Sequence, residues 1–233
     1  MSLKRMPVIP SDTISEEVAA RKNLQRKRTL SYLIRATEEL IRTKGLQHVS
    51  SRMIGTIAGY SSSTIYSYFE DINELILFAS VGYLREYVRK LSEVELDGLN
   101  SREYYIQVTQ LFTSSMFEDP EIYYNMFFGP HRDSLCSIIQ EYYSLFPEDL
   151  PDLPVELNAM VREGNLYERH RHLVQKMIHD GYLSAEHEEK ILNLVIRMQQ
   201  SFLIDIRDQK EINPQNALKL FMDLLHFILN CSP

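Results

Sequence analysis

Apolar residues in this chain recur at three- and four-residue spacing almost throughout, and no segment alternates apolar and polar residues over a strand's length. A 3.6-residue period with no period of two restricts the fold to packed helices, so an all-α architecture is expected. The 8 Gly and 9 Pro separate these periodic runs. At 233 residues and 44% hydrophobic content the chain can bury a stable core without covalent staples. Cys136 and Cys231 form no CxxC pair, which argues against a disulfide framework or a cysteine-based zinc site and fits a cytoplasmic protein. The first 20 residues carry Pro7, Pro10, Asp12, Glu16 and Glu17, unlike a secretory leader. The most apolar stretch, 217–229, includes Lys219 and Asp223 and is too short for a bilayer, so no membrane partner is expected.

Punctuation sets the expected helices. Residues 1–20 are assigned as a disordered leader, although Thr13 to Glu16 has the form of a capping box and no Gly or Pro occurs from 14 to 44. A helix starting near 14 either runs through to Lys44 or breaks near Thr29. Gly45 stops it, and short helices follow over 50–58 and 61–68, flanking Gly59. Asp71 caps a long helix to about Leu91. Further helices are expected over 101–117, 121–128, 131–146, 155–162, 166–179 and 185–209. Asn213 and Pro214 open the last one.

Charge divides the chain unevenly. Residues 1–69 hold 11 Lys and Arg against 5 Asp and Glu, a net +6, whereas the remainder carries 14 against 27, a net −13. A small basic module on an acidic body suits contact between the module and a polyanion. Five of the eight residues in 21–28 are basic, either a solvated helix face or an arm that reaches phosphate.

The two short helices around Gly59, preceded by a longer one, have the form of a helix-turn-helix. Met53, Ile54, Ile57, Ala58, Ile65 and Phe69 are expected inside. Arg52, Thr56, Ser62, Ser63, Thr64, Tyr66 and Ser67 remain to face outward. Small hydroxyl residues at the start of a recognition helix let the backbone approach DNA and bond phosphate oxygens or base edges. Candidate DNA contacts are Arg26, Arg28, Arg52, Ser61, Ser62, Ser63, Thr64, Tyr66, Ser67 and Tyr68.

The stretch from Leu33 to about Ile76 resembles the DNA-binding domain of the tetracycline-repressor (TetR) family. Leu33-Ile34-Arg35-Ala36 through Lys44-Gly45 is similar to the family's first helix and its stop. Ser51-Arg52-Met53-Ile54 resembles the second helix, Ala58-Gly59-Tyr60-Ser61 the turn, and Thr64 to Phe69 the recognition helix. Asn73-Glu74-Leu75-Ile76 looks like the start of the fourth. Members often carry Lys-Gly at the positions of Ser62-Ser63, His at Ser67 and Lys at Ile72, so this module is poor in charge at its usual contacts. The resemblance implies a helix-turn-helix domain over 21–72 and a ligand-binding and dimerising body over 73–233. It implies a repressor that binds double-stranded operator DNA as a homodimer and is no enzyme.

The body's sequence supports parts of this independently. Between 217 and 230 polar residues occur only at Lys219, Asp223, His226 and Asn230, one narrow stripe, so the helix needs burial on both flanks. Paired with the apolar 185–209 helix it would form a four-helix dimer interface, with Met198, Phe202, Phe221, Leu225 and Ile228 as candidates. Tyr105, Phe112, Met116, Phe128 and Tyr142 are candidate pocket residues for a small apolar or aromatic ligand, though a helical core needs such side chains in any case. A rival reading takes His170, His172, His179 and His187 as the metal site of a sensor or metallohydrolase. Their spacing favours scattered solvent-facing histidines, and no GxSxG, P-loop, GxGxxG or HExxH occurs, so no catalytic residue, metal or cofactor is expected.

Overall fold

The computed structural model describes residues 11–208 and 212–231. Among them every regular element is helical. The first helix, α1 (Ser11–Lys44), runs 34 residues without a break and ends at Gly45, whose φ of 83° requires a residue free of Cβ strain. Residues 11–20, assigned to a disordered leader, are therefore helical. With no Gly or Pro to interrupt it, the helix continues outward from its packed half, while residues 1–10 of that leader lie outside the described residues.

Leu30, Leu33, Ile34, Leu40 and Ile41 bury the inner face of α1. Against it pack α2 (Ser51–Ala58) and α4 (Ile72–Val81), with α3 (Ser62–Ile65) held on α2. The expected long helix from Asp71 to Leu91 is two helices, α4 and α5 (Leu84–Glu93), separated by Gly82 and Tyr83. Three-residue bonds from the Gly82 amide to Ala79 O (3.1 Å) and from Tyr83 to Ser80 O (3.0 Å) tighten the break. A Cβ on Gly82 would stand 2.4 Å from Glu38 Oε1, so the bend presses bare backbone against α1.

The body comprises α6 (Ser101–Glu118), α7 (Pro120–Phe128), α8 (Leu135–Leu145), α9 (Val155–Val161), α10 (Leu166–His179), α11 (Glu188–Arg207) and α12 (Pro214–Asn230). Asn100 opens α6 with a reciprocal capping box to Glu103, and Asn213 with Pro214 opens α12 as expected. The expected 131–146 and 185–209 helices each begin with a short 3-10 turn, Arg132–Ser134 and Ala185–His187. Helix α4 touches α1, α7 and α8 and so joins the N-terminal unit to the body.

Two interface candidates need correction. Phe221 and Leu225 are fully buried inside the protomer, where Phe221 meets Phe117 and Phe202 edge-on. They lie on the inner face of α12 and cannot meet a partner. Met198, Phe202 and Ile228 are half-buried, and the apolar residues facing outward are Leu194, Leu220, Leu224 and Phe227. No helix of the described residues is long and apolar enough to cross a membrane.

Candidate functional site

The helix-turn-helix is built on a close approach of backbone to backbone. The Tyr60 amide donates to Gly55 O at 2.9 Å, and a Cβ on Gly55 would lie 2.4 Å from Tyr60 O. Gly59 follows in the left-handed conformation, φ 76°, and turns the chain. Ser50 caps α2 by accepting from the Met53 amide, and Ser61 caps α3 by accepting from Thr64. Ile54 and Ile65 are fully buried, fixing α2 on α1 and α3 on α2. Ile57, expected inside, is 52% exposed, because the inward face of α2 is centred on Ile54, Gly55 and Ala58.

Arg52, Thr56, Ser61, Ser63, Tyr66 and Ser67 are exposed, and Ser62, Thr64 and Tyr68 are half-buried. The hydroxyls are pre-arranged: Ser61 Oγ lies 2.7 Å from Ser63 Oγ and 2.9 Å from Thr64 Oγ1. The recognition helix is shorter than expected, ending at Ile65 and continuing as a turn to Tyr68. There the Ser67 hydroxyl donates to Thr64 O at 2.6 Å, a local bond that competes with helix continuation. Tyr60 turns inward, its hydroxyl 3.4 Å from Thr29 Oγ1 of α1, whereas Tyr66 is 53% exposed.

Thr29 is thus the point where α1 passes the turn, and the exposed 21–28 run extends beyond it. Arg26 is held by Glu141 of α8 at 3.0 Å. At 100° per residue, Arg28 projects about 200° around the helix from Arg26, away from that acid.

The N-terminal unit meets the body through a polar cluster. Arg35 of α1 donates to Glu38 Oε2 (2.9 Å) and to Asp149 Oδ2 (3.1 Å), and its guanidinium covers the Phe146 ring at 4.0 Å. Arg85 of α5 pairs with Asp149 Oδ1 through Nε at 2.9 Å. The Tyr142 hydroxyl of α8 lies 2.7 Å from Asp149 Oδ2 and 2.9 Å from Glu38 Oε1. One hydroxyl proton serves only one of these carboxylates at a time. Asp149 is buried at the centre.

Sequence-based pocket residues do not converge. Tyr142 belongs to the polar cluster, Met116 to the core, and Phe128 to a surface groove with Arg132 and Tyr167. Phe112 lines a small internal cavity with Tyr87, Val108, Thr109, Met160, Arg169, His170 and Leu173. Tyr105 borders it through a 3.3 Å hydrogen bond to His170 Nδ1. The missed residues had a signal: Arg169 and His170 occupy the buried stripe of α10 between Leu166 and Leu173, where apolar residues belong.

The four histidines are not brought together. His170 is buried between Tyr105 and Gln199, while His172, His179 and His187 face Glu163, Asp180 and Glu186 separately. Among the described residues no three His, Cys, Asp or Glu side chains are grouped to hold a metal ion.

Comparison with known proteins agrees with this geometry. The model of the bacterial regulatory proteins of the tetR family matches residues 33–81. No curated protein matches the chain by sequence. Among solved structures, RolR in complex with resorcinol superposes with a TM-score of 0.57 at 14% identity, covering 90% of each chain. Thermus thermophilus FadR, a TetR-family repressor solved with lauroyl-CoA, gives 0.53 at 15% identity over 86% of this chain and 92% of its own. The fatty acid degradation regulator FadR of Bacillus halodurans gives 0.51 at 14%, over 84% and 93%. Residues 33–81 thus match the tetR-family model, and the chain as a whole has the fold of solved TetR-family regulators.

Proposed function

We propose that the protein is a ligand-responsive repressor that binds a palindromic operator as a homodimer in the cytoplasm, reading DNA with residues 21–72 and holding ligand and partner with 73–233. The observation that carries this reading is the exposed hydroxyl surface from Ser61 to Ser67 on a helix-turn-helix with the tetR family pattern. The Ser62 and Ser63 amides at the start of α3 have no carbonyl one turn back to bond, and they suit phosphate and base edges. Arg28 and Arg52 supply exposed charge beside it.

Dimerisation is supported by Leu220, Leu224 and Phe227, exposed at i, i+4 and i+7 on α12, with Leu194 on α11. A contiguous apolar stripe of this kind calls for cover. A two-fold pair would set its recognition helices about 34–36 Å apart, one turn of DNA. Sedimentation of a micromolar sample tests this, with a dimer expected and a monomer near the 27.3 kDa chain mass as the failing result. That RolR and Thermus thermophilus FadR were solved with resorcinol and lauroyl-CoA supports a small molecule as the effector. Its binding would favour a dimer whose recognition helices no longer match the groove.

Fluorescence anisotropy against a duplex of the chain's own upstream region tests the DNA reading. Binding should prefer that duplex over a scrambled one and weaken steeply from 50 to 200 mM salt. Tyr66→Phe should weaken it more than Tyr60→Phe, since only the Tyr66 hydroxyl faces out. Sequence-blind or salt-insensitive binding would sink the proposal.

A further inference from the structure

Among the described residues Arg169 is the most buried cation of the body, 3% exposed, and Glu163 is the one carboxylate that acts on it, through space. Its Nε donates to Glu163 O (2.6 Å) and Nη2 to Val161 O (2.7 Å), at the C-terminal end of α9. The faces of Phe112 and Phe127 stand 5.3 and 5.4 Å from the guanidinium carbon. Nη1 meets no acceptor at all, and Thr109 Oγ1, which lines the same cavity, has only the neighbouring Tyr105 hydroxyl as a polar contact. The Tyr143 hydroxyl, within electrostatic reach of the guanidinium, is likewise without a partner.

A buried charge with an unused donor fork is costly, and proteins ordinarily pair it or dispense with it. Burial disfavours the charged form of Arg169, yet nothing in its surroundings removes the proton. The rest of the cavity wall is Tyr87, Val108, Phe112, Met160 and Leu173, aromatic and aliphatic but for the Tyr87 hydroxyl. His170 adds no positive charge. It donates to Gln199 Oε1, accepts from Tyr105, and burial lowers its pKa to about 4. The site thus offers one positive charge, the hydroxyl residues Thr109 and Tyr87, and an otherwise hydrocarbon lining.

Resting on the reading of the protein as a ligand-responsive regulator, we propose that its effector is a small monocarboxylic acid whose carboxylate pairs with Arg169 Nη1 and accepts from Thr109, its apolar part lying against Val108, Phe112, Met160 and Leu173. A single guanidinium neutralises a monoanion, whereas a phosphate dianion would leave a buried charge uncompensated. The cavity is about 10 Å³, room for one water. The acid therefore enters by displacing a wall. That wall is α9, which packs substantially on α10 alone and whose terminal carbonyls hold the guanidinium.

Thermal unfolding and calorimetry of the full chain test this, with benzoate and octanoate as probes and benzamide and octanamide as neutral isosteres. At least one acid should raise the unfolding midpoint and bind about 100-fold tighter than its amide. Arg169→Met should abolish that preference and, by removing an unpaired buried charge, raise the midpoint of the ligand-free protein. Thr109→Val, a smaller change, should weaken the acid at least about 10-fold, one hydrogen bond to a charged group. The proposal is overturned if neither acid binds, if amides bind equally well, or if Arg169→Met binds the acid unchanged. The same acids are added to the operator titration. Arg169-dependent acid binding that leaves DNA affinity untouched would sink the ligand-responsive reading and keep the acid site. Release from DNA by the amides alone would do the reverse.

Discussion

His170 shows how one residue couples burial to pH. Its ring donates to Gln199 and accepts from Tyr105, so the neutral tautomer satisfies both nitrogens, and a second proton would force the Tyr105 hydroxyl to turn from donor to acceptor. Burial accordingly lowers its pKa from 6.5 to about 4. Between those values the unfolded chain binds more protons than the folded one, so stability rises with pH through this window and falls on acidification. The full shift corresponds to about 3 kcal/mol. Thermal midpoints measured from pH 7 to pH 4 should fall for the native chain and fall less for His170→Gln, which keeps a donor and an acceptor. Equal slopes would show that His170 is not the group responsible. Gln199 extends the same chain of bonds to Thr113 Oγ1 at 3.0 Å, linking α10, α11 and α6 through polar atoms within an apolar core.

Among the elements, α1 has two opposed faces in its N-terminal half, and they predict different effects on DNA binding. Arg26 is occupied by Glu141, whereas Arg28 projects away from it. Arg28→Ala should lower operator affinity and reduce the salt slope by about 1, the loss of one phosphate contact. Arg26→Ala should leave the slope unchanged. Equal losses would mean that the run acts as diffuse charge. This distinction was not legible in the sequence, which showed five basic residues in eight but not the acid on α8. The helix-turn-helix was legible because Ser50, Gly59 and Ser61 mark its boundaries through local chemistry: two caps and one left-handed turn. The α4–α5 break was not, since Gly82 is bare to admit Glu38, a residue 44 positions earlier. For the same reason the outer face of α12 was misassigned. Both its flanks are apolar, and only packing against Phe117 decides that Phe221 turns inward while Leu220 and Phe227 face out.

At the scale of the whole molecule, the Asp149 cluster joins the DNA-reading helices to the body. Arg35 on α1, Arg85 on α5 and Tyr142 on α8 all converge on one buried carboxylate, so a shift of α8 or α5 is felt by α1. Tyr142 looked like a pocket aromatic in the sequence, because an interdomain hydrogen bond leaves no periodic trace. Asp149→Asn keeps the shape but removes the charge that two arginines share. Both arginines are partly solvated, so the loss should be about 1–3 kcal/mol rather than the full cost of a stranded buried ion. Its location matters more than its size. Hydrogen exchange should show faster opening of α1–α3 amides in Asp149→Asn, with α6 and α10 amides unchanged, because those body helices pack without the cluster. Tyr142→Phe, which deletes one proton and no charge, should shift the same amides less. If exchange instead rose uniformly across both regions, the cluster would be a general stabiliser, and coupling of ligand to DNA would have to run through the apolar contacts of α4 with α7 and α8.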